Sequence, residues 1–291
     1  MIKNPLLTIA SANSGFLQTG KSFEDIVNIC LKSGFAGMEG SPAYFEKLPE
    51  QELARIGRLF KDAGLLLETY HLPYKDPLSE DIATLYEADR KKVEERMKKH
   101  IDKAAALGGE IGILHPTTKK DCHTAEEGLD RLMLQLGKTL EAMLRHSEQY
   151  SFKIALENML PYLGDRLGCK IMHLEEIIRR HNHPLLGFCM DTGHALVSHG
   201  EKAMDVFHFM KDRLIALHLA DNAGDRDSHL SPGHGRFFWK EFFTQLGKTD
   251  YAGTMCVETP PFFYGPDYPL EAWKTMYGEV MSLIRDSEKT E

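Results

Sequence analysis

Eight short apolar segments recur along the 291 residues, and a longer amphipathic segment follows each of them. Each apolar segment is nearly continuous rather than alternating, which is typical of a parallel strand covered on both faces. A chain that alternates such strands with helices folds into an α/β structure. The predicted strands are LLTIA (6–10), FAGMEG (35–40), LLLETYH (65–71), EIGILHP (110–116), KIALEN (153–158), LGFCMD (186–191), LIALHLAD (214–221) and GTMCVE (253–258).

The segments between the strands carry helix start and stop signals. Ser22 is placed to cap a helix that stops at Gly34, and Pro49 opens a helix that stops at Gly64. A long helix is predicted from about Ser79 to Gly108. Further helices are predicted at 125–149, 173–182, 201–212, 237–247 and 270–286. The chain therefore alternates eight strands with eight helices.

Two architectures accommodate this alternation: a closed barrel and an open doubly wound sheet. An open dinucleotide-binding sheet needs a glycine-rich fingerprint after its first strand, and none occurs there. The length is normal for a closed α/β barrel. We therefore predict a single-domain (β/α)8 TIM barrel that spans residues 1–291.

The predicted strands 3 to 8 all end in or near a residue type that binds metal ions. The active site of such a barrel lies at the C-terminal ends of its strands. Taken singly, each residue has an ordinary explanation; Asp191, for example, is placed to cap the next helix. Taken together, buried carboxylates and imidazoles at one barrel mouth are costly unless a cation compensates them. The residues are His71, His115, Glu157, Asp191 with His194 just after it, His218 and Glu258. Strands 1 and 2 offer only Ser11 or Asn13, and Glu39.

The loop after strand 7, residues 221–239, adds two further candidate ligands. Asp227 and His229 are two positions apart, so that an extended loop can direct both side chains into one site. Pro232 and two nearby glycines favour a tight turn before the next helix. The simpler interpretation is a polar surface loop, but its histidines follow a strand end, which favours a role in the site.

Composition narrows the classes of partner. The formal net charge of -8 argues against nucleic-acid or anionic-membrane binding, since both favour a basic surface. No segment approaches the roughly 20 apolar residues that span a bilayer. Five cysteines, an odd number without CxxC spacing, indicate a reducing compartment, and we predict a cytoplasmic protein. The exposed faces of the predicted helices are compatible with an interface between copies of the chain in a homo-oligomer.

Seven short motifs, in this order, give the chain a resemblance to a known family. They are HLPY (71–74), ILHP (113–116), ALEN (155–158), MDTGHA (190–195), HLAD (218–221), RDSHLSPGHG (226–235) and VETP (257–260). The chain resembles the xylose isomerase-like barrel superfamily, which contains sugar-phosphate isomerases and epimerases as well as zinc-dependent apurinic endonucleases. In the SPGHG turn, His234 stands where many relatives have glutamate.

The resemblance implies two ligand sets. In the isomerase/epimerase members, one divalent metal would be held by Glu157, Asp191, His218 and Glu258, and the two glutamates would double as acid/base catalysts. In the endonuclease members, three zinc ions would use a larger set, which adds His71, His115, His194, Asp227 and His229. All nine positions carry a matching residue type here.

The leading hypothesis is a metal-dependent isomerase or epimerase acting on a sugar or sugar phosphate. Glu157 and Glu258 would transfer the proton next to a carbonyl while the metal stabilises the enediolate. Lys75, Arg226 and Arg236 are candidate phosphate or substrate contacts. Carboxylate ligands suit manganese or magnesium, and the imidazoles suit zinc, iron or cobalt. The alternatives are a multinuclear zinc phosphodiesterase, a keto-sugar lyase and a binding protein without turnover.

Overall fold

A computed structural model describes residues 2–16, 19–74, 80–117, 128–161, 166–264 and 270–289. Eight parallel strands form one sheet in the order β2-β1-β8-β7-β6-β5-β4-β3, which is the strand order around a barrel. All eight predicted strands are confirmed, each a little shorter than or equal to the predicted segment. They are β1 Leu7–Ala10, β2 Gly37–Glu39, β3 Thr69–His71, β4 Ile111–Leu114, β5 Lys153–Glu157, β6 Leu186–Asp191, β7 Leu214–Leu219 and β8 Met255–Val257.

Backbone contacts between β2 and β3 close the sheet into a barrel. Parallel bridges join Gly37 to Leu66 and Gly40 to Tyr70. At Gly37 the backbone has φ of 156°, and a Cβ atom there would lie 2.0 Å from the carbonyl oxygen of Leu66. Glycine is therefore required where these two strands meet.

Helices surround the barrel. Ser22 caps α1 through the Asp25 backbone, and Gly34 ends it in the left-handed conformation, as predicted. The helices are α1 Phe23–Ser33, α2 Pro42–Phe45, α3 Glu50–Asp62, α4 Glu87–Ala106, α5 Leu129–Ser147, α6 Ile171–Arg180, α7 Thr192–His199, α8 Ala203–Met210, α9 Trp239–Leu246 and α10 Leu270–Glu288. Two of these, α2 and α7, were not predicted.

The long third predicted helix begins later than expected: Ser79 lies outside the described residues, and residues 81–86 are not helical. This helix, α4, begins at Glu87. Upstream of it, the Asp81 carboxylate accepts hydrogen bonds from the Ala83 backbone N–H and from the Thr117 hydroxyl. A side chain that bonds to the backbone two residues on favours a turn over a helix, so the segment is held in a turn against the end of β4.

The hydrophobic core has two parts. The larger part lies between the strands and the helices and includes the fully buried Trp273 of α10 and Phe242 of α9. The smaller part comprises Ile111, Ile113, Ala155, Cys189 and Ala216, with Ile215 packed against it. The described cysteines, Cys30, Cys169, Cys189 and Cys256, are all buried. Among the described residues, none of the helices is both long and apolar enough to cross a membrane.

Candidate metal centre

The structure gathers nine predicted site residues at the C-terminal mouth of the barrel. His71, Glu157 and Asp191 are the last residues of their strands, and His218 is the next to last residue of β7. His115 and Glu258 each follow a strand by one residue. This barrel-mouth cluster consists of His71, His115, Glu157, Asp191, His194, His218, Asp227, His229 and Glu258, linked by short contacts between ring nitrogens and carboxylate oxygens.

Glu157 lies among four histidines of the cluster. Its Oε2 is 3.1 Å from His115 Nε2, 3.7 Å from His218 Nδ1 and 3.8 Å from His71 Nε2. Its Oε1 is 3.0 Å from His194 Nδ1. Because the carboxylate is only 1% exposed, its charge is compensated by these imidazoles rather than by water. Residues from three strand ends and from the start of α7 therefore converge on the Glu157 side chain at the end of β5.

Glu258 approaches the cluster from the end of β8. Its Oε1 is 3.4 Å from His218 Nδ1, and its Oε2 is 3.8 Å from His229 Nδ1. The same His218 nitrogen thus faces a glutamate from β5 and a glutamate that follows β8. The contacts continue through Asp227, whose Oδ2 is 2.9 Å from His229 Nε2 and 3.5 Å from His194 Nε2.

The loop after β7 is held by Asp221, a fully buried carboxylate. It accepts hydrogen bonds from the backbone N–H groups of Asn222, Gly233 and Phe237 and from the Trp239 indole. Backbone hydrogen bonds of 2.8 Å in both directions join Asp221 to Leu230, which bends the loop back over the mouth. These anchors place Asp227 and His229 within the cluster.

His229 has φ of 45°, in the left-handed region that a residue with a side chain rarely adopts. Backbone strain of this kind persists where the surrounding structure imposes it, and it concentrates at functional sites. At His229 this backbone conformation occurs together with an imidazole that faces Asp227 and Glu258.

Asp191 has one of the two roles that the sequence allowed, since it caps the helix that follows β6. Its Oδ1 caps α7 by accepting the His194 backbone N–H. Its Oδ2 has no hydrogen bond and lies 3.9 Å from His194 Nδ1. Asn158 fixes the backbone below, since its amide donates to the Asp191 carbonyl and accepts from the Asp191 N–H. One carboxylate oxygen is thus structural and the other is available to a ligand.

Buried polar atoms without hydrogen bonds show that the cluster fits a cation. Among the described residues, those at the mouth are Glu157 Oε2, Asp191 Oδ2, His218 Nδ1, Asp227 Oδ1 and His229 Nδ1. Leaving such atoms unpaired is costly, and all five are oxygen or nitrogen atoms that bind divalent metals. Three groups within the cluster have donor atoms within 4.8 Å of one another: His71, His115 and Glu157; Glu157, Asp191 and His194; Asp191, His218 and Glu258.

Burial and neighbouring charges raise the pKa of Glu258 and lower the pKa values of Glu157 and His115. Burial raises the pKa of Glu258 to about 7, against the pull of His218 and His229. Burial also disfavours the charged form of Glu157, but the charges of His115 and His218 outweigh it and hold the Glu157 pKa well below its usual range. Burial lowers the pKa of His115 to about 4. The two glutamates thus occupy electrostatically different environments.

Several neighbours of the cluster were not in the predicted site. Glu39 lies 3.1 Å from His218 and is 2% exposed. The Tyr74 ring packs against the rings of His71 and His115, at centroid distances of 4.3 and 4.9 Å. Two features of the sequence point to these residues: Glu39 lies at the end of the second predicted strand, and Tyr74 is the last residue of the HLPY motif.

The structure leaves the predicted phosphate contacts as predictions. Arg226 and Arg236 are both exposed on the loop after β7. Lys75 lies outside the described residues.

This fold and site belong to a defined class of barrel proteins. A family model, "Xylose isomerase-like TIM barrel", matches residues 27–286, so the chain belongs to that family. A curated relative, the uncharacterized protein y4fM of Sinorhizobium fredii, is 25% identical over 255 residues, covering 80% of each chain.

Solved structures share the fold over nearly the whole chain. A D-tagatose 3-epimerase-like protein has a TM-score of 0.78 at 21% identity, covering 97% of this chain and 98% of its own. The 3-keto-D-glucoside 4-epimerase YcjR from E. coli has a TM-score of 0.76 at 15% identity, covering 96% and 100%. The IOLI protein, crystallised with a bound zinc atom, has a TM-score of 0.76 at 13% identity, covering 98% and 100%.

Proposed function

We propose that this protein is a metal-dependent sugar isomerase or epimerase that moves a proton on a carbon next to a carbonyl group. The observation that carries the proposal is the convergence of Glu157 and Glu258 on one nitrogen of His218, at 3.7 and 3.4 Å. Two carboxylates at one mouth supply both a base and an acid for such a reaction. The sugar epimerases among the structural neighbours support the same chemistry.

Glu157, Asp191, His218 and Glu258 would hold a divalent cation. The unpaired buried atoms of the first three fit this role. When bound, the metal acts as a Lewis acid that polarises the oxygens of the sugar and stabilises the negative charge of the enediolate. Zinc or cobalt suits the imidazoles of the wider cluster, whereas manganese or magnesium suits the four-residue set with its three carboxylates.

The two glutamates would divide the proton transfer. One takes the proton from carbon, and the other returns a proton to the opposite face or to the neighbouring atom. Both are buried, at 1% and 6% exposure, so that bulk water is kept from the reacting carbon. Hydrogen bonds to Asn158 and to the first turn of α7 hold the Asp191 backbone and side chain in place.

Proton exchange tests the proposal without knowledge of the natural sugar. Protein loaded with manganese or zinc should exchange the proton next to the carbonyl of at least one keto-sugar, such as tagatose, psicose or fructose, with deuterated water, followed by NMR. Glu157→Gln and Glu258→Gln should abolish this exchange. Glu175→Gln, on the exposed face of α6, is the matched control and should retain it. Failure of metal-loaded protein to exchange with any member of a broad keto-sugar panel would overturn the proposal.

A second candidate, a multinuclear zinc phosphodiesterase, is favoured by the ligands beyond the first four. His71 and His115 form a group with Glu157, and His194 forms another with Glu157 and Asp191. The cluster holds four carboxylates, so that three dications would leave it positive and one dication would leave it negative. Phosphate binding requires the former. Two bound zinc ions or more together with cleavage of an abasic duplex would favour this activity; one bound ion and an intact duplex would remove it.

A further inference from the structure

Glu39, at the end of β2, makes a buried contact with His218 that the proposed reaction does not use. Its Oε2 is 3.1 Å from His218 Nε2, and the two side chains are 2% and 1% exposed. In the strand order, β1 and β8 lie between β2 and β7. The contact therefore links two strands that are not neighbours in the sheet. The opposite ring nitrogen, Nδ1, has no hydrogen bond and faces Glu157 and Glu258.

The two nitrogens of one imidazole constrain each other. When Nε2 donates its proton to a carboxylate, the neutral ring carries its lone pair on Nδ1, the atom that faces the cluster. The bond also prevents rotation of the ring. A metal-binding histidine usually has such a partner on its other nitrogen, and the partner fixes both the tautomer and the orientation of the ring.

A comparison with His71 shows what the carboxylate adds. The Nδ1 of His71 lies 2.9 Å from the Leu72 backbone oxygen while its Nε2 faces Glu157. A backbone carbonyl orients the ring, but an ionised carboxylate also forms a stronger hydrogen bond and makes the imidazole a better electron donor. His218 therefore has the stronger support of the two.

We propose that Glu39 is a positioning residue that holds His218 in the Nε2–H form and thereby presents Nδ1 to the metal. The inference rests on the proposed metal site, but it does not depend on which reaction the protein catalyses. It requires that Glu39 contact the imidazole and not the metal itself.

The alternative is that Glu39 is itself a ligand in a separate site with His218 and Cys256, whose donor atoms also lie within 4.8 Å of one another. In that site a metal would take the place of the 3.1 Å contact between Glu39 and His218. It would also give a metal–thiolate bond, which cobalt reports through a charge-transfer band in the near ultraviolet. The positioning role predicts no such band and no effect of Cys256→Ala on metal affinity.

Metal titration of the full-length protein tests the inference. Zinc affinity is measured by competition with a chelator, and cobalt binding by its visible spectrum. Glu39→Gln keeps the shape but removes the charge, and its zinc dissociation constant should rise about 10- to 100-fold. Glu39→Asp keeps the charge on a shorter side chain, and its zinc affinity should lie between those of the wild type and Glu39→Gln. This variant also provides the test if Glu39→Gln does not fold. Tyr70→Phe is the matched control, since it removes a buried hydrogen bond to His100 from the neighbouring strand without touching the cluster.

The outcomes separate this inference from the proposed function. An unchanged zinc affinity in Glu39→Gln, an equal loss in Tyr70→Phe, or a thiolate band that disappears in Cys256→Ala would each overturn the positioning role. Weakened zinc binding in Glu39→Gln without any proton exchange on sugars would support the inference and contradict the isomerase/epimerase proposal. Wild-type protein that binds no metal would overturn both.

Discussion

Replacement of Asp221 by asparagine removes the charge from the side chain that organises the loop after β7. Each oxygen of Asp221 accepts two hydrogen bonds. Oδ1 accepts from the N–H groups of Asn222 and Phe237 at 2.9 and 3.1 Å, and Oδ2 accepts from Gly233 N–H and the Trp239 indole at 3.0 and 2.7 Å. The side chain is 0% exposed, so that water cannot replace a lost bond.

The magnitude follows from this geometry. The asparagine amide keeps one accepting oxygen and turns its NH2 group toward the other pair of donors, so that two charged hydrogen bonds are lost. At about 1.5–3 kcal/mol for each such bond, the free energy of unfolding should fall by about 3–6 kcal/mol. For a chain of 291 residues, each kcal/mol lowers the melting temperature by about 2 °C, which gives a total decrease of about 6–12 °C.

Thermal unfolding of metal-free protein, followed by circular dichroism, measures this loss. Trp239→Phe removes one of the four bonds and should cost less than Asp221→Asn. In the double variant the indole bond is already broken, so that the two losses should fall short of additivity by about 1–3 kcal/mol. A melting temperature for Asp221→Asn within about 2 °C of the wild type, or full additivity in the double variant, would refute the hydrogen-bond reasoning.

Three further predictions concern the site, the pH dependence and the barrel closure. Zinc at a thousandfold excess over its dissociation constant should stabilise the protein by about 4 kcal/mol in a thermal shift assay, and Asp191→Asn should greatly reduce that shift. Burial lowers the pKa of His100 to about 4. The unfolded chain therefore binds more protons than the folded chain below pH 6.5. As the pH falls from 6.5 to 4, the free energy of unfolding should decrease by about 3 kcal/mol. In urea titrations, His100→Gln should remove this pH-dependent loss. In the same titrations, Gly37→Ala should destabilise the barrel by at least about 1–3 kcal/mol, because the added Cβ would collide with Leu66. Gly278→Ala in α10 is the contrasting variant: its Cβ would have no atom within 4 Å, and the change should stabilise the protein by up to about 1 kcal/mol.

The strands and the first ring of site residues were predictable because both depend on local sequence. A buried parallel strand needs a short apolar run, and all eight runs form strands. Once the barrel is assumed, the C-terminal end of each strand is a known position in space. His71, Glu157 and Asp191 could therefore be assigned to one mouth without any knowledge of their contacts.

The remaining features depend on contacts between distant parts of the chain. The bond from Glu39 to His218 joins residues 179 positions apart, and a glutamate at a strand end does not show whether it faces a metal or an imidazole. The start of α4 depends on a hydrogen bond between Asp81 and Thr117. The sequence indicates Asp191 as a helix cap, but the helix that it caps, α7, has only eight residues and was not predicted as a separate helix.

An anomalous-scattering map of the barrel mouth tests most directly whether the cluster binds a divalent metal. Crystals grown with zinc or manganese would be measured on both sides of the absorption edge of the metal. We expect an anomalous peak within coordination distance of Glu157, Asp191, His218 and Glu258. Further peaks near His71 or His229 would show how many ions the cluster holds. Full occupancy of zinc elsewhere with no peak at the mouth, or a mouth that stays metal-free at saturating concentrations, would contradict this expectation.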